Sequence, residues 1–297
     1  MNNNLSKFMD EYIPKINTTL DEYLSGLKSY PILNEAMRYS VDAGGKRIRP
    51  LFLLAVIESL GKRITQDDLK VAASLEMIHT YSLIHDDLPE MDNDDLRRGK
   101  PTNHKVYGQA IAVLAGDALL TNAFELVTQT KIKAESKVIL ISNLARFAGA
   151  EGMVNGQVGD IQGEKKKLTL NQLKQVHFGK TATLLEYACL AGATLGKANV
   201  KQQQLLIEFG KNFGLAFQIY DDILDEVGSQ EELGKKVHKD QAEHKNTYTV
   251  LLGLSGAKNE LQKIIDQMNS ILTNLNDLNV KVDLLAEFLN YFKINEG

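Results

Sequence analysis

Apolar residues recur along this chain at spacings that predict helices rather than strands. Between positions 206 and 220 they step by three or four residues, which places them on one helical face. They are Leu206, Phe209, Phe213, Phe217 and Tyr220. Strand-like alternation of apolar and polar residues is scarce. The pattern therefore predicts an all-α fold.

Helix boundaries and helix packing are also visible in the sequence. Thr65 with Asp68, and Thr169 with Gln172, have the spacing of capping boxes. No proline follows Pro101, which permits long uninterrupted helices because proline removes a backbone donor and clashes with the preceding turn. Gly210 and Gly214 lie inside a helical pattern, where each glycine lowers helix stability by about 1 kcal/mol relative to alanine. Close packing against a neighbouring helix would explain them, and is therefore predicted. The polar segment 228–248 predicts a long loop.

Composition narrows the class of protein. The chain has 297 residues, 43% apolar and 24% charged, with a net charge of −4, which fits one globular domain over residues 1–297 and no nucleic-acid partner. The single cysteine, Cys189, cannot form an internal disulfide and predicts a small buried apolar side chain in a reducing, cytoplasmic protein. No signal region or membrane-spanning run is recognisable, so no membrane insertion is expected.

Aspartates gather in two clusters, each after an apolar helical run. They are Asp86, Asp87, Asp92, Asp94 and Asp95 in the first, and Asp221, Asp222 and Asp225 in the second. Gln218 shares a helical face with the second cluster, at i, i+3, i+4 and i+7. Like charges on one face repel, so cations are expected between them. Magnesium, which prefers oxygen ligands and substrate phosphates, is the natural candidate.

Other interpretations of these clusters stay open. Each cluster alone is also typical of a helix that ends in an acidic, solvated turn. A calcium loop starting at Asp92 fails, because Arg97 stands where glycine is required. Pro89 predicts a kink in the first helix, which would let Asp92 curl back toward Asp86.

Basic residues lie close to the acidic ones and suit phosphate oxygens. One group is Arg97, Arg98 and Lys100, a second is Lys46, Arg47 and Arg49, and a third, in the polar segment, includes Lys235. The Gly44-Gly45-Lys46 run is not a P-loop, because Ser40 and Arg47 break the required pattern.

Two histidines precede the first acidic cluster. His79 lies two helical turns before Asp86, on roughly the same face, and is expected to point toward a diphosphate site. His85 adjoins Asp86, which offers an alternative, a metal-dependent phosphohydrolase. That alternative leaves the second acidic cluster and the arginines without a role.

The ordered set of motifs resembles a known family, the short-chain trans-prenyl diphosphate synthases of the bacterial farnesyl type. The motifs are Asp86-Asp87-Leu-Pro-Glu-Met-Asp92 through Gly99, Gln218-Ile-Tyr-Asp221-Asp222-Ile-Leu-Asp225, Gly44 through Pro50, Leu114-Ala-Gly-Asp117, Gly156-Gln157-x-x-Asp160 and Lys180-Thr181. The resemblance runs from about residue 30 to 255.

The resemblance implies a single large helical bundle around a central cavity, usually a homodimer, acting on isopentenyl diphosphate and allylic diphosphates. It implies three magnesium ions, two held by Asp86 and Asp92 and a third by Asp221. The residues implied to contact the allylic substrate are Arg97, Lys180, Thr181, Gln218 and Lys235, and those for isopentenyl diphosphate are Lys46, Arg49, His79 and Arg98.

The implied reaction begins when the allylic diphosphate ionises. Dipoles near Lys180, Thr181 and Gln218 would stabilise the allylic cation in a dry cavity. The absence of an evident nucleophile–base pair agrees with a reaction that needs no protein base. A terpene cyclase would not need the second diphosphate pocket, and a non-catalytic partner subunit would not need both acidic clusters.

Product length is predicted from one aromatic residue. Tyr81 lies five residues before Asp86, about 7.5 Å along a helix, where a ring would form a floor for the growing chain. Members of the farnesyl type carry an aromatic residue here, so farnesyl diphosphate is the expected product and geranylgeranyl diphosphate the alternative. The alternative for Tyr81 is a simple core position.

Overall fold

The structure is a computed structural model that describes residues 4–164, 166–227 and 246–293. Within these ranges the chain is a helical bundle with one two-residue hairpin, so the predicted all-α fold is confirmed. Its helices are α1 (Asn4–Ser25), α2 (Pro31–Val41), α3 (Ile48–Ser59), α4 (Gln66–Asp86), α5 (Asn103–Tyr107), α6 (Gln109–Thr128), α7 (Ala134–Ala148), α8 (Met153–Gly163), α9 (Leu170–His177), α10 (Thr183–Leu195), α11 (Val200–Val227), α12 (Tyr248–Asp277) and α13 (Asp283–Phe288).

Both predicted helix starts are confirmed. The Thr65 side chain accepts from the backbone N–H of Asp68, whose carboxylate accepts from the N–H of Thr65 at 2.8 Å, and this capping box begins α4. Thr169 and Gln172 form the same reciprocal pair at the start of α9. Each box satisfies backbone donors that the first turn leaves without partners.

Aromatic residues of α3, α11 and α13 form the centre of the hydrophobic core. The Phe52 ring lies 4.5 Å from that of Phe213, 5.8 Å from that of Phe209 and 4.7 Å from that of Phe288, centroid to centroid. Phe209 and Phe213 belong to the predicted apolar face of residues 206–220, and both are fully buried. The core is continuous from α1 to the 3₁₀ turn Leu289–Phe292 that follows α13.

The two helical glycines of α11 allow α10 and its N-cap residue, Ala182, to approach closely, as predicted. A Cβ at Gly210 would lie 2.6 Å from the carbonyl oxygen of Leu185, and one at Gly214 would lie 2.4 Å from Cα of Ala182. Neither atom can move without shifting a helix. Cys189 lies in the same interface and is fully buried, which confirms its interpretation as a core residue.

The end of α4 differs from the predicted kink at Pro89. The helix stops at Asp86, with Asp87 as its C-cap, because the residue before a proline disfavours helical geometry. The chain then turns so sharply that the Asp92 N–H donates to the Asp86 carbonyl oxygen at 2.8 Å. The prediction that Asp92 curls back is therefore confirmed, by termination of the helix rather than by a kink.

A short hairpin follows this turn. Strands β1 (Leu96–Arg97) and β2 (Lys100–Pro101) pair antiparallel, Arg97 opposite Lys100. The connecting residues Arg98 and Gly99 both have positive φ, 55° and 75°, as a tight hairpin turn requires. Of the two consecutive arginines, Arg97 therefore lies in the strand and Arg98 in the turn.

Among the described helices, α6 is the one long and apolar enough to be considered as a membrane span. It carries Asp117 and Glu125, and its buried side packs on α4. A core helix of a bundle passes the same test of length and composition.

Candidate active site

The first acidic cluster lies where α4 ends. Asp87 is buried, whereas Asp86 is half-buried and faces the cluster formed with Asp92. Partial burial, reinforced by the charge of Asp92 and opposed by Lys180, raises the pKa of Asp86 to about 6. A cation beside these carboxylates would relieve the cost of charging them. Asp95 lies apart, exposed and paired with Lys105 at 2.6 Å.

Arg97 is held against the first acidic cluster. Its Nε donates to Asp87 Oδ1 at 2.8 Å, Nη2 contacts the same oxygen, and Asp94 Oδ2 lies 3.6 Å away. Arg97 therefore already has a carboxylate partner. It lies beside the predicted allylic site, and its side chain is not part of the cavity wall that contains Asp86.

Lys180 and Thr181 belong to a π-helical turn, Phe178–Ala182, that joins α9 to α10. This turn sits directly on α8, because a Cβ at Gly156 would lie 2.0 Å from the Lys180 backbone nitrogen. The close approach lets Lys180 Nζ donate to Asp160 Oδ2 at 2.6 Å, one turn further along α8. Burial alone would lower the pKa of Lys180, but the Asp160 carboxylate raises it, so the ammonium stays charged.

These residues surround a cavity of about 320 Å³, here called the allylic cavity. The wall brings together six predicted site residues: Arg49, His79, Tyr81, Asp86, Lys180 and Thr181. The Tyr81 side chain is buried, and its hydroxyl pKa rises to about 12 because of burial and the nearby Asp86. Charged groups and a neutral aromatic ring thus share one apolar-lined space.

A second cavity of about 440 Å³, here called the basic cavity, is lined by Lys46, Arg49, His79 and Arg98 among others. All four were predicted to bind one diphosphate. Arg49 Nη1 lies 3.2 Å from His79 Nε2. Desolvation and the surrounding arginines, Arg49 first, hold the pKa of His79 well below its usual range, so the imidazole is neutral and can accept from Arg49. Arg49 and His79 also line the allylic cavity, so the two cavities share a wall.

Arg98 reaches the basic cavity because glycine makes room for it. It donates through Nη1 to the Gly44 carbonyl oxygen. A Cβ at Gly45 would lie 2.6 Å from the Arg98 guanidinium carbon, and Gly45 has φ of 125°. Gly44 and Gly45 therefore leave the space that the Arg98 guanidinium occupies.

Lys46 is held by the end of the chain. Its Nζ donates to the Tyr291 hydroxyl at 2.7 Å and lies 4.5 Å from the centre of that ring. The Tyr291 ring in turn stacks on Phe217 of α11 at 5.4 Å. No pattern in the sequence indicates this contact.

Arg47, between Lys46 and Arg49, is a structural residue. It is 4% exposed and pairs with the equally buried Glu76 at 2.8 Å, while Nη2 donates to the Val41 carbonyl oxygen. Breaking a buried pair of this kind costs about 3–5 kcal/mol. All three basic residues of this segment line the basic cavity, and Arg47 also fixes the loop through its pair with Glu76.

The second acidic cluster lies at the end of α11. Asp222 is buried and accepts from the backbone N–H of Tyr248 at 2.7 Å, which ties the start of α12 to α11. Asp221 is half-buried and near enough to Arg49 to raise its pKa, although burial, the larger effect, lowers that pKa to about 10. Among described residues, neither Gln218 nor Asp221 lines the two cavities. Lys235 lies outside the described residues.

A divalent cation fits the donor set of the first cluster. No three His, Cys, Asp or Glu side chains of the described ranges come together as a complete metal site. Magnesium usually takes one or two carboxylates and completes its shell with phosphate oxygens and water. The Asp86 and Asp92 carboxylates, on residues joined by a backbone hydrogen bond, match that requirement.

The histidine beside Asp86 turns away from this cluster. His85 Nε2 lies 3.1 Å from the Val113 carbonyl oxygen in α6, and an oxygen of this kind can only accept, so that nitrogen carries the proton. Asp86 and His85 therefore point to different neighbours, contrary to the metal pair of a phosphohydrolase.

An all-helical bundle with carboxylates and basic residues around two adjoining cavities is the arrangement that the sequence motifs predict for an enzyme acting on diphosphates. Residues 30–281 match the polyprenyl synthetase family. The chain belongs to this family and is a prenyl transferase.

Relatives and solved structures cover nearly the whole chain. It is 50% identical over 273 residues to the farnesyl diphosphate synthase of Geobacillus stearothermophilus, covering 91% of this chain and 92% of that one. It is 46% identical over 290 residues to the Bacillus subtilis farnesyl diphosphate synthase, covering 97% of each. The Helicobacter pylori geranyltransferase, solved with magnesium and isoprenyl diphosphate, superposes with a TM-score of 0.87 at 36% identity, covering 99% of each chain.

Proposed function

We propose that this prenyl transferase condenses isopentenyl diphosphate with dimethylallyl and then geranyl diphosphate to give farnesyl diphosphate. The observation that carries the proposal is the position of Tyr81, in the wall of the cavity that Asp86, Lys180 and Thr181 also line. An aromatic ring in that wall limits the space for a growing chain. Geranylgeranyl diphosphate is the alternative product.

The allylic diphosphate would bind with its charged end near Asp86 and Lys180. Magnesium, held by Asp86 and Asp92 and, as a third ion, by Asp221, would neutralise charge on the departing diphosphate. The Lys180 ammonium, kept charged by Asp160, lies where that charge develops. Fixed charges of this kind stabilise a transition state without reorganising.

Bond changes follow from this placement. The C–O bond of the allylic substrate breaks, and its electron pair leaves with the diphosphate. The allylic cation is then stabilised by dipoles around Thr181 and the π-helical turn, whose backbone departs from regular helix geometry. The double bond of isopentenyl diphosphate supplies the electrons of the new C–C bond, and a proton leaves to the released diphosphate.

Isopentenyl diphosphate would bind in the basic cavity. Lys46, Arg49 and Arg98 supply positive charge there, and the neutral His79 lies at the wall shared with the allylic cavity. The shared wall brings the alkene of one substrate close to the allylic carbon of the other. Gln218 and Lys235 keep their predicted roles on the allylic side.

The assembly we propose is a cytoplasmic homodimer of single-domain chains. Apolar side chains stay exposed on neighbouring helices α5, α6 and α7, among them Val106, Leu114 and Val138 at 47%, 53% and 67%. Such residues are typical of an interface between copies. The continuous core from Phe8 to Phe292 supports one domain over residues 1–297, and the buried Cys189 suits a reducing compartment.

Product analysis tests the proposal. The purified protein is given isopentenyl and dimethylallyl diphosphates, with and without magnesium, and diphosphate release and dephosphorylated products are measured. We expect release that requires both substrates and magnesium, and a fifteen-carbon product. Diphosphate release without isopentenyl diphosphate would instead favour a hydrolase, and a twenty-carbon product would favour the alternative synthase.

A further inference from the structure

Beside the Tyr81 ring, in the same cavity wall, lies a second ring that the prenyl transfer steps do not use. The His85 imidazole meets Tyr81 edge to face, with centroids 5.7 Å apart and planes at 77°. His85 is one helical turn after Tyr81 on α4 and also lines the allylic cavity. Edge-to-face contacts favour one relative orientation of two rings, so His85 restricts how Tyr81 can tilt.

The imidazole itself is fixed from α6 by a slot that only glycine can form. A Cβ at Gly116 would lie 2.1 Å from His85 Nε2 and 2.5 Å from Cδ2, so the ring rests on the Gly116 backbone. In the slot, Nε2 lies 3.1 Å from the Val113 carbonyl oxygen and 3.9 Å from Asp117 Oδ1. The three α6 residues therefore determine where the His85 ring stands.

We propose that Gly116 and His85 are specificity-determining positions that set product length through Tyr81. The slot in α6 holds His85, His85 braces Tyr81, and the braced ring closes the allylic cavity. The inference rests on the proposed function, because it assumes that Tyr81 limits the chain. It adds that the limit is set by two helices together, so a residue of α6 governs chain length without being part of the cavity wall.

Removing the brace lengthens the product. In His85→Ala, the space that the imidazole leaves lets the Tyr81 ring tilt away from the cavity, which then accepts a longer chain. We expect the ratio of twenty-carbon to fifteen-carbon product to rise by roughly tenfold, the scale of one ring contact. Gly116→Ala acts in the same direction, because its methyl group expels the imidazole from the slot.

The two positions act through one ring, so their effects are not additive. In a His85→Ala background, the methyl group of Gly116→Ala has no imidazole to meet and adds no further lengthening. Gly26→Ala is the matched glycine control, since its Cβ would meet only ordinary contacts at 3.4 and 3.5 Å, and it keeps the wild-type product. If the contact between His85 and Gly116 served only to pack α4 on α6, these substitutions would change the free energy of unfolding but not the product length.

The experiment measures dephosphorylated products of each single variant, the double variant and Tyr81→Ala by chromatography, with thermal unfolding alongside. His85→Gln, which keeps a donor for Val113 but has no ring, replaces His85→Ala if the latter does not fold.

Active His85 and Gly116 variants with wild-type products, beside a lengthened Tyr81→Ala product, overturn this inference and leave the proposed function standing. Additive effects in the double variant also overturn it. An unchanged product from Tyr81→Ala would show that Tyr81 does not limit chain length. That result overturns this inference but leaves the prenyl transfer activity standing. Absence of any prenyl product from the wild-type protein overturns the proposed function.

Discussion

Lys180 Nζ and Asp160 Oδ2 lie 2.6 Å apart and form an ion pair between the π-helical turn and α8. The carboxylate keeps the ammonium both charged and aimed at the allylic cavity. Without it, Lys180 would be free to adopt other rotamers, and burial would lower its pKa. A residue outside the cavity wall thus governs a charge within it.

Asp160→Asn should weaken that charge. A hydrogen bond to a charged group contributes about 2 kcal/mol, so kcat/KM for the allylic substrate should fall roughly thirtyfold. Steady-state kinetics with each substrate varied in turn would measure it. Glu164→Gln, an exposed change at the C-terminus of the same helix, is the matched control. Wild-type kinetics from Asp160→Asn would show that Lys180 needs no partner.

Removal of the predicted metal ligands should abolish turnover. In Asp86→Asn and Asp221→Asn we expect turnover to fall by several orders of magnitude with the fold retained, because the diphosphate loses its counter-charge. Asp95→Asn serves as control, since Asp95 is exposed and pairs with Lys105. Turnover at a range of magnesium concentrations, with circular dichroism, would measure both effects. Activity near that of the wild type in either variant would remove the metal assignment.

Substitutions in the basic cavity should affect one substrate more than the other. Lys46→Ala and Arg98→Ala should raise KM for isopentenyl diphosphate more than KM for the allylic partner, because both residues line the basic cavity and not the allylic one. Each KM is measured with the other substrate saturating. Equal changes in both constants would mean that the two cavities have been assigned to the wrong substrates.

Chain length should respond to the ring at position 81. Tyr81→Ala should deepen the allylic cavity and shift the product from fifteen toward twenty carbons, with dimethylallyl diphosphate still accepted. Ser82→Ala is the neighbouring control, because Ser82 lines the same cavity and its hydroxyl is already bonded to the His79 carbonyl oxygen at 2.9 Å. Chromatography of dephosphorylated products decides the matter. An unchanged product from active Tyr81→Ala would place the floor elsewhere.

Stability should fall in acid partly because of His177. Burial lowers the pKa of this side chain to about 4, although Asp160 opposes the shift. The unfolded chain therefore takes up a proton below about pH 6.5 that the folded chain refuses until about pH 4. The stabilisation is complete above pH 6.5 and is lost as pH falls toward 4, at up to about 1.4 kcal/mol per pH unit.

Urea unfolding between pH 7 and pH 5 would measure this slope. His177→Gln should flatten it relative to the wild type, because glutamine takes up no proton. Comparison at pH 7 controls for the change in packing. Parallel slopes in the two proteins would assign the acid sensitivity to other groups.

Features with a local cause could be predicted from sequence. The Thr65–Asp68 capping box depends on residues three apart, and the apolar face of α11 follows from helical geometry. The return of Asp92 to Asp86 also followed from the position of Pro89. These interactions form within one or two turns of chain, where residue type and spacing decide the outcome.

Contacts between distant segments could not be predicted. Lys46 and Tyr291 are 245 residues apart, and nothing in either segment indicates the other. Arg47 looked like its phosphate-binding neighbours until its buried pair with Glu76 was seen. Arg97 was predicted for the substrate and is held by Asp87. In each case the partner depends on how helices come together, which spacing along the chain does not encode.

The wall shared by the two cavities has a consequence for inhibitor chemistry. Because Arg49 and His79 line both spaces, the proposed function predicts that one molecule with two anionic head groups on a short tether occupies them together. Once the first group is bound, the second is confined near its own site at an effective concentration in the millimolar range, and avidity rises by about 10² to 10⁴ over either group alone. Such a compound would be selective for this enzyme over enzymes with a single anion pocket, because those can bind only one of its two head groups.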